Sequence, residues 1–440
     1  NNHGGASGFA WRMMEHSSSE LSAATALTLA SPASERLPEE QAELRDLFRR
    51  QHAPEWIAMR DERDAARADG EMLSASLPTS MISQELAKAR PAQILMRGSY
   101  DRPGDTVQPN TPESLPPMPE GAPQNRLGFA QWLVADNNPL AARVVINRHW
   151  QRIFGVGIVK TSEDFGTQGE RPVHPELLDW LAVELREHDW DLQYIQRLIV
   201  TSATYRQAST VAQDKLDADP ENRFLSRSTR FRLDGEILRD QALMVSGLLV
   251  EDIGGPPVKP YQPAGLWKAV GYSRSNTVNF SQDKGDANYR RSLYTFWKRT
   301  SAPPNLTIFD APSRESTCVR RERTNTPMQA LALLNDPQYV EFSRGFARRI
   351  LAEGGDSDSS KLRFALLCLT SRAPDPSETD VLLDLLQNAR EHFRQDPEGA
   401  AALLTVGATP LMAPENPAEI AAWTILASTL FSLDEVITRG

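Results

Sequence analysis

The chain has 440 residues, of which 40% are hydrophobic, and its formal net charge at pH 7 is −10. This length exceeds one ordinary hydrophobic core, so we expect a globular protein with two or three subdomains. The longest apolar stretch, residues 420–431, is too short for a membrane-spanning helix, and we predict no membrane span.

The charge is unevenly distributed along the chain. Acidic residues exceed basic ones by six in residues 1–125 and by eight in residues 351–440, whereas Lys and Arg exceed Asp and Glu by four in residues 126–350. That excess is too small for a nucleic-acid-binding face, which needs concentrated Lys and Arg, so we expect no nucleic acid partner. Most of the central cations are arginines, which suit carboxylate, sulfate or phosphate ligands.

Cysteine and histidine spacing argues against a bound metal or cofactor. The two cysteines, Cys318 and Cys368, lie far apart, and no CxxCH motif for covalent haem is present. The seven histidines include no HxH or HxxxH pair. We therefore predict no metal and no cofactor in this chain.

The first part of the chain predicts a lead-in and a spacer. Residues 1–36 open with a Gly- and Ser-containing run and are predicted to be flexible. Residues 37–125 are predicted to form a helical spacer, with two polar helices over 38–75, followed by a Pro-rich linker over 101–125.

Residues 126–350 predict a central helical domain rich in arginine and aromatic residues. Capping residues and first-turn prolines predict helices that start near Leu127, Pro139, Pro175, Asp191, Asp234 and Thr326. Residues 290–300 are the best candidate strand, because they are rich in aromatic and β-branched side chains.

Residues 351–440 predict a C-terminal helical subdomain, with helices over 361–370, 377–393 and 418–432. Taken with the central region, this predicts a mainly α fold: an irregular multi-helix globular domain with a small β-hairpin or sheet and long ordered loops.

The helix after Pro139 carries a candidate anion site. Arg143 and Asn147 lie one turn apart, as do Arg148 and Arg152, on a helix that is otherwise apolar. One interpretation is an anion clamp aimed into a cleft. The other is that the guanidinium groups pair with acids of neighbouring helices, such as Asp164, Asp179 or Asp240.

A second candidate lies in the loop DFGTQGERPVH, residues 164–174. Asp164 and His174 flank two glycines, and a carboxylate beside a histidine is a suitable general acid–base pair. The alternative is structural: Asp164 orders the loop, and His174 caps the helix that begins at Pro175.

The segment RFRLDGEILRD, residues 230–240, offers two further interpretations. In the first, Asp234 caps a helix and Glu236 pairs with Arg239 at the i,i+3 spacing. In the second, Glu236 and Asp240, one turn apart, form a catalytic carboxylate pair. Arg239 is also a candidate ligand-binding residue. Downstream, arginines surround Cys318, which is either a reactive thiol or a small buried filler.

Several phrases of the chain resemble a known family when they are taken in order. They are RGSYDRPGDTV (97–107), NPLAARVVINRHWQRIFGVGIVKTSEDFGTQGERPVHPELLDWLA (138–182), LIVTSATYRQAS (198–209), PENRFLSRSTRFRLDGEILRDQAL (220–243), YRRSLYTFWKR (289–299), FDAPSRESTCVRRERTNTPMQALALLND (309–336) and AAWTILASTLFSLDEV (421–436). Together they resemble the C-terminal domain of unknown function, called PSD-one, of planctomycete cytochrome-c-type proteins.

The resemblance implies a periplasmic or other extracytoplasmic setting and a larger parent protein, with haem c only in an upstream module. It implies no settled reaction, and we expect an accessory domain that binds this haem-bearing module, another periplasmic protein or an anionic saccharide. The alternative is an enzyme, an oxidoreductase or hydrolase acting on anionic polysaccharide with Asp164, His174 and Arg148 in its cleft.

Overall fold

A computed structural model describes residues 23–77, 79–86, 90–271, 274–275, 277–411 and 416–439. The chain divides into two compact units, Asn1–Gln108 and Pro109–Gly440. Most of the predicted lead-in, residues 1–22, lies outside the described residues. In the described part of the chain, no helix is long and apolar enough to cross a membrane.

The first unit consists of helices and one hairpin. Its helices are α1 (Ala23–Ala30), α2 (Pro38–His52) and α3 (Pro54–Ser76), and its antiparallel strands are β1 (Ala92–Leu95) and β2 (Pro103–Val107). Prolines at the first turns of α2 and α3 start the two polar helices that the sequence predicts. Strand β2 lies within the segment predicted to be a linker.

The second unit consists mainly of helices joined by long loops. Its elements are α4 (Arg126–Leu133), α5 (Ala141–Phe154), α6 (Pro175–Glu187), α7 (Leu192–Val200), α8 (Gln213–Ala218), β3 (Phe231–Arg232), α9 (Gly235–Val245), α10 (Leu266–Val270), α11 (Pro304–Thr307), α12 (Pro327–Asn335), α13 (Pro337–Glu353), α14 (Asp358–Thr370), α15 (Pro376–Gln395), α16 (Pro397–Leu404), α17 (Pro417–Phe431), α18 (Asp434–Ile437) and β4 (Thr438–Arg439). The mainly α prediction is confirmed, and the predicted helices at 361–370, 377–393 and 418–432 correspond to α14, α15 and α17.

Two hydrophobic cores organise the second unit. The smaller one packs α5, α6 and α7 around buried side chains such as Ile146, Leu185 and Ile195. The larger one packs α9 and helices α13 to α17, with Trp423 fully buried at its centre. The larger core therefore joins residues from both sides of position 350, where the sequence suggested a subdomain boundary.

An arginine between two acids ties helices of the larger core together. Arg390 of α15 donates to Asp358 at 2.6 Å and to Glu419 at 2.7 Å. The hydrogen bond from Arg390 lowers the pKa of Asp358. Burial alone raises the pKa of Glu419, but its hydrogen bonds from Arg390 and Trp423 outweigh burial and lower it. Both acids are therefore held in the charged form.

The predicted strand over 290–300 is wrong. This segment contains a single 3₁₀ turn, Ser292–Tyr294, and isolated bridges such as that from Val258 to Thr295. The physical reason is that a buried guanidinium takes backbone acceptors there: Arg239 donates to the carbonyl of Arg290 at 3.0 Å. A carbonyl engaged by a side chain is less available to a neighbouring strand.

The small sheet of the second unit forms elsewhere. Strands β3 and β4 pair antiparallel, with Phe231 opposite Arg439 and Arg232 opposite Thr438. This pairing places the end of the described chain beside α5, because Arg439 also donates to the carbonyl of Ile153 at 2.8 Å.

Candidate functional site

Helix α5 is the scaffold of the site, and its C-terminal end is set by Gly155. Gly155 has φ +83°, and a Cβ at this position would lie 2.9 Å from the ring of Phe231. Asn147 anchors the chain that leaves the helix: its amide donates to the carbonyl of Val159 at 3.0 Å and accepts from the Val159 N–H at 2.8 Å. Asn147 is fully buried, so this candidate ligand-binding residue has a structural role inside the fold.

Arg143 also makes contacts within the fold. Its Nε donates to Asp179 at 2.6 Å, and a second nitrogen bonds the carbonyl of Pro139. The hydrogen bond raises the pKa of Arg143 and lowers that of Asp179. The prediction of pairing with a neighbouring helix is confirmed for this arginine, and Arg143 does not line the cleft described next.

Five arginines converge on one cleft, which we call the arginine cleft. It has a volume of about 370 Å³, and its arginines are Arg148, Arg152, Arg321, Arg323 and Arg439. They come from α5, from the segment before α12 and from β4, so distant parts of the sequence meet here. Asp234 is the carboxylate among the residues that line this cleft.

Arg148 and Arg152, the candidates on α5 that line the arginine cleft, differ in their contacts. Arg148 is exposed, and within the described chain it has no hydrogen-bond or ion-pair partner. Its predicted pairing with an acid is therefore wrong. Arg152 lies 3.4 Å from Asp234, which also lies 3.5 Å from Arg321. Asp234 therefore lies between two guanidinium groups of the cleft.

Arg321 is fixed by a two-bond contact with Glu236. Its terminal nitrogens donate to the two carboxylate oxygens at 2.6 and 3.0 Å. Burial alone lowers the pKa of Arg321, yet the bonds to Glu236 raise it overall. The fork geometry holds the guanidinium plane in one orientation at the wall of the cleft.

Arg323 and Arg439 flank the ring of Phe231. The guanidinium carbon of Arg323 lies 4.3 Å and that of Arg439 5.7 Å from the ring centroid. Arg323 also donates to the carbonyl of Gly155 at 3.1 Å. Desolvation lowers the pKa of Arg323, Asp234 raises it, and the nearby charges of Arg152 and Arg321 lower it further. Burial is the main cause of the lowered pKa, and an added negative charge would offset only the repulsion from Arg152 and Arg321.

The structure does not join the proposed acid–base pair. Asp164 accepts the N–H of Gly166 at 2.7 Å, which orders its own loop. His174 precedes α6 without a side-chain cap and lies edge-on to Phe224, with ring centroids 6.3 Å apart. Both residues are described, and no hydrogen bond connects them. His174 lines a second cleft, beside the arginine cleft.

Arg239, the candidate ligand-binding residue on α9, lies in the core. It is 1% exposed and donates to the carbonyls of Asn288 at 2.7 Å and Arg290 at 3.0 Å, and to Gln338 at 3.0 Å. The expected pair with Glu236 is wrong, because Glu236 binds Arg321 instead. Burial lowers the pKa of Arg239. This arginine cannot reach a ligand in the cleft.

Cys318 lines the arginine cleft and is exposed, so the interpretation as a buried filler is wrong. Its thiol contacts the carbonyl of Arg320 at 3.2 Å. Among the side chains that the structure describes, no group of three or more His, Cys, Asp or Glu is arranged to hold a metal ion.

The sequence predicts a site beside α5 but does not bring together the other walls of the arginine cleft. Arg321 and Arg323 belong to the arginines around Cys318, and no sequence pattern assigns a role to Arg439. The available sequence signal for Arg321 and Arg323 is an arginine-rich segment before a capped helix. No local feature of the sequence indicates that β4 lies at this cleft.

Comparison with protein families gives one match. The model of the family PSD1, described as protein of unknown function (DUF1553), matches residues 125–386. No curated protein and no solved structure matches the chain. The matched range includes α5, the segment around Cys318 and four of the five arginines of the cleft.

Proposed function

Because the chain belongs to the PSD1 family of proteins of unknown function, we propose a function from its geometry: it is an accessory domain that binds an anionic ligand in the arginine cleft. The observation that carries this proposal is the excess of guanidinium groups over carboxylates at the cleft wall, with Arg148 exposed and unpaired.

The arrangement suits an anion for two physical reasons. Guanidinium groups present paired N–H donors that match the oxygens of carboxylate, sulfate or phosphate. The five groups also repel one another, so a bound anion lowers the electrostatic energy of the folded protein. Arg321 and Arg323 are already oriented by Glu236 and Phe231, which reduces the conformational entropy lost on binding.

The wider setting of the proposal comes from the resemblance in sequence. Its phrases are similar to the C-terminal domain of planctomycete cytochrome-c-type proteins, and this supports an extracytoplasmic, periplasmic role beside an upstream haem-bearing module. In that setting a sulfated or uronic-acid saccharide is the anionic ligand we propose. An acid–base enzyme is less well supported, since Asp164 and His174 make separate contacts.

Binding of sulfated and uronic-acid oligosaccharides, measured by calorimetry, tests the proposal. Arg148→Gln should weaken binding about tenfold or more, because one charge-assisted hydrogen bond contributes about 1.5–3 kcal/mol. Arg148 has no partner in the fold, so this variant should melt like wild type. The matched control is Arg197→Gln, which removes an exposed arginine of α7 outside the cleft.

The salt dependence gives a second readout of the same site. Affinity for the wild type should fall as ionic strength rises, and the slope should be smaller for Arg148→Gln. Equal affinities for wild type and Arg148→Gln, or equal losses in Arg148→Gln and Arg197→Gln, would remove the arginine cleft as the binding site.

A further inference from the structure

A second cleft shares a wall with the arginine cleft. It has a volume of about 440 Å³ and lies on the other side of Phe231 and Arg323, which line both clefts. Apolar side chains such as Val173, Val211, Leu216 and Leu225 form part of its wall, and we call it the apolar cleft after them; polar residues, among them several arginines, form the rest. Its volume lies within the range of roughly 300–1,000 Å³ that is typical of ligand pockets.

The apolar cleft has unsatisfied polar groups in its wall. Asn222 is 8% exposed and lines the cleft; its amide nitrogen donates to the carbonyl of Arg227 at 2.9 Å, but its Oδ1 has no partner. One terminal nitrogen of Arg223 also lacks a partner. Buried polar groups are normally paired, so two unpaired groups on successive residues of one cleft wall are unusual.

The chemistry of these two groups selects a hydroxyl-bearing ligand. A hydroxyl group both donates and accepts, so it can donate to the amide oxygen of Asn222 and accept from the guanidinium of Arg223. Both protein atoms are covered, so a ligand must turn them toward the cleft. Turning them breaks the bond from the Asn222 amide to the Arg227 carbonyl and the 3.4 Å bond from Arg223 to the Gly157 carbonyl, so the bonds to the ligand must replace these. The apolar walls would cover the carbon faces of a ring.

The exposed arginine without a partner in the described chain, Arg148, lies in the arginine cleft and not in the apolar cleft. In the apolar cleft, Glu221 at the rim is paired with Lys160 at 3.0 Å, and Arg230 is paired with Asp434. Arg227 donates to the backbone carbonyls of Asp219 and Pro220, so its guanidinium is engaged by the fold. A ligand with an anionic group attached to a hydroxylated ring matches this order of surfaces.

We infer that the two clefts form one composite site, in which the arginine cleft binds the anionic group and the apolar cleft binds an adjoining sugar ring of the same ligand. This inference rests on the proposed anion binding and specifies its ligand class: the sugar residue next to the charged group is recognised as well as the charge.

The experiment compares three probes by calorimetry: inorganic sulfate, a disaccharide carrying one sulfate ester, and the same disaccharide without sulfate. The sulfated disaccharide should bind at least about tenfold more tightly than inorganic sulfate, because it adds hydrogen bonds and apolar contact. The unsulfated disaccharide should bind more weakly than the sulfated one.

Two variants test the apolar cleft. Leu216→Trp places a larger side chain in the cleft at a position where the leucine is 38% exposed. Arg223→Met removes the unpaired donor, while the backbone N–H of residue 223 keeps its 2.7 Å bond to Asp219. Each variant should weaken binding of the sulfated disaccharide about tenfold and change the affinity for inorganic sulfate less than twofold. Leu192→Trp, at a similarly exposed position outside the cleft, is the control.

The possible failures are distinguishable. Sulfate binding without any gain from the sugar, or unchanged disaccharide binding in both Leu216→Trp and Arg223→Met, overturns the composite site and leaves the anion site standing. If the wild type binds neither sulfate nor the sulfated disaccharide, the proposed function fails, and the composite site fails with it.

Discussion

Replacing Arg239 with leucine should destabilise the second unit substantially. The guanidinium is enclosed, and its partners are neutral oxygens rather than a carboxylate. In Arg239→Leu, the carbonyls of Asn288 and Arg290 and the side-chain oxygen of Gln338 lose their donor. All three residues are at least nine-tenths buried, so water cannot readily replace it.

The magnitude follows from those lost bonds. An unsatisfied buried acceptor costs about 1–3 kcal/mol, while removing a buried charge returns part of that cost, so we expect a net loss of about 3–5 kcal/mol. An unfolding entropy of about 2.1 cal/mol/K per residue, applied to residues 109–440, makes 1 kcal/mol equivalent to about 1.4 °C. The midpoint of unfolding should therefore fall by about 4–7 °C.

Differential scanning calorimetry measures this shift, with Arg197→Leu as the control for loss of an exposed arginine. The control should change the midpoint by less than about 1 °C, as surface substitutions usually do. A shift for Arg239→Leu as small as that of the control would show that relief of the buried charge balances the lost hydrogen bonds, and it would refute the reasoning.

Three other predictions concern acid stability, the cleft wall and haem. In Arg390→Gln, the free energy of unfolding should fall less steeply as the pH is lowered. The two carboxyl partners of Arg390 have pKa values lowered from 3.8 and 4.5, so their contribution to stability is present above pH about 4.5 and is lost as pH falls through the lowered values. Melting curves from pH 7 to pH 3 check this, and identical slopes would contradict it. Gly155→Ala should cost about 2 kcal/mol and weaken sulfate binding, because it strains the backbone and displaces Phe231; Gly247→Ala, which is strained without a clash, should destabilise without affecting binding. The purified chain should show no Soret band after denaturation, since it lacks CxxCH; a band that survives would disprove this.

Local chemistry made much of the helical fold predictable. Asp191 accepts the N–H groups of Gln193 and Tyr194, Pro175 starts α6, and Gly155 ends α5, all as the sequence indicates. These signals act over a few residues, so the sequence around them is sufficient. For the same reason the position of Arg148 and Arg152 on one helix was predictable.

The partners of the buried and clustered arginines were not predictable in this way. Glu236 and Arg239 have the spacing of an ion pair, yet Glu236 bonds Arg321 on a distant segment, and Arg239 bonds oxygens near residue 290. Spacing along a helix gives two side chains the opportunity to meet, whereas tertiary packing decides which acceptor is closer. The aromatic run at 290–300 failed for a related reason, because its backbone was engaged by a side chain.

The pairing of β3 with β4 has a consequence for biosynthesis. Arg439 bonds the carbonyl of Ile153 across 286 positions of sequence. At a translation rate of about 5–20 residues per second, that interval takes roughly 15–60 s. Helix α5 therefore leaves the ribosome long before the last arginine of the cleft is made. Until residue 439 is made, the arginine cleft lacks Arg439, and its wall beside Phe231 is incomplete.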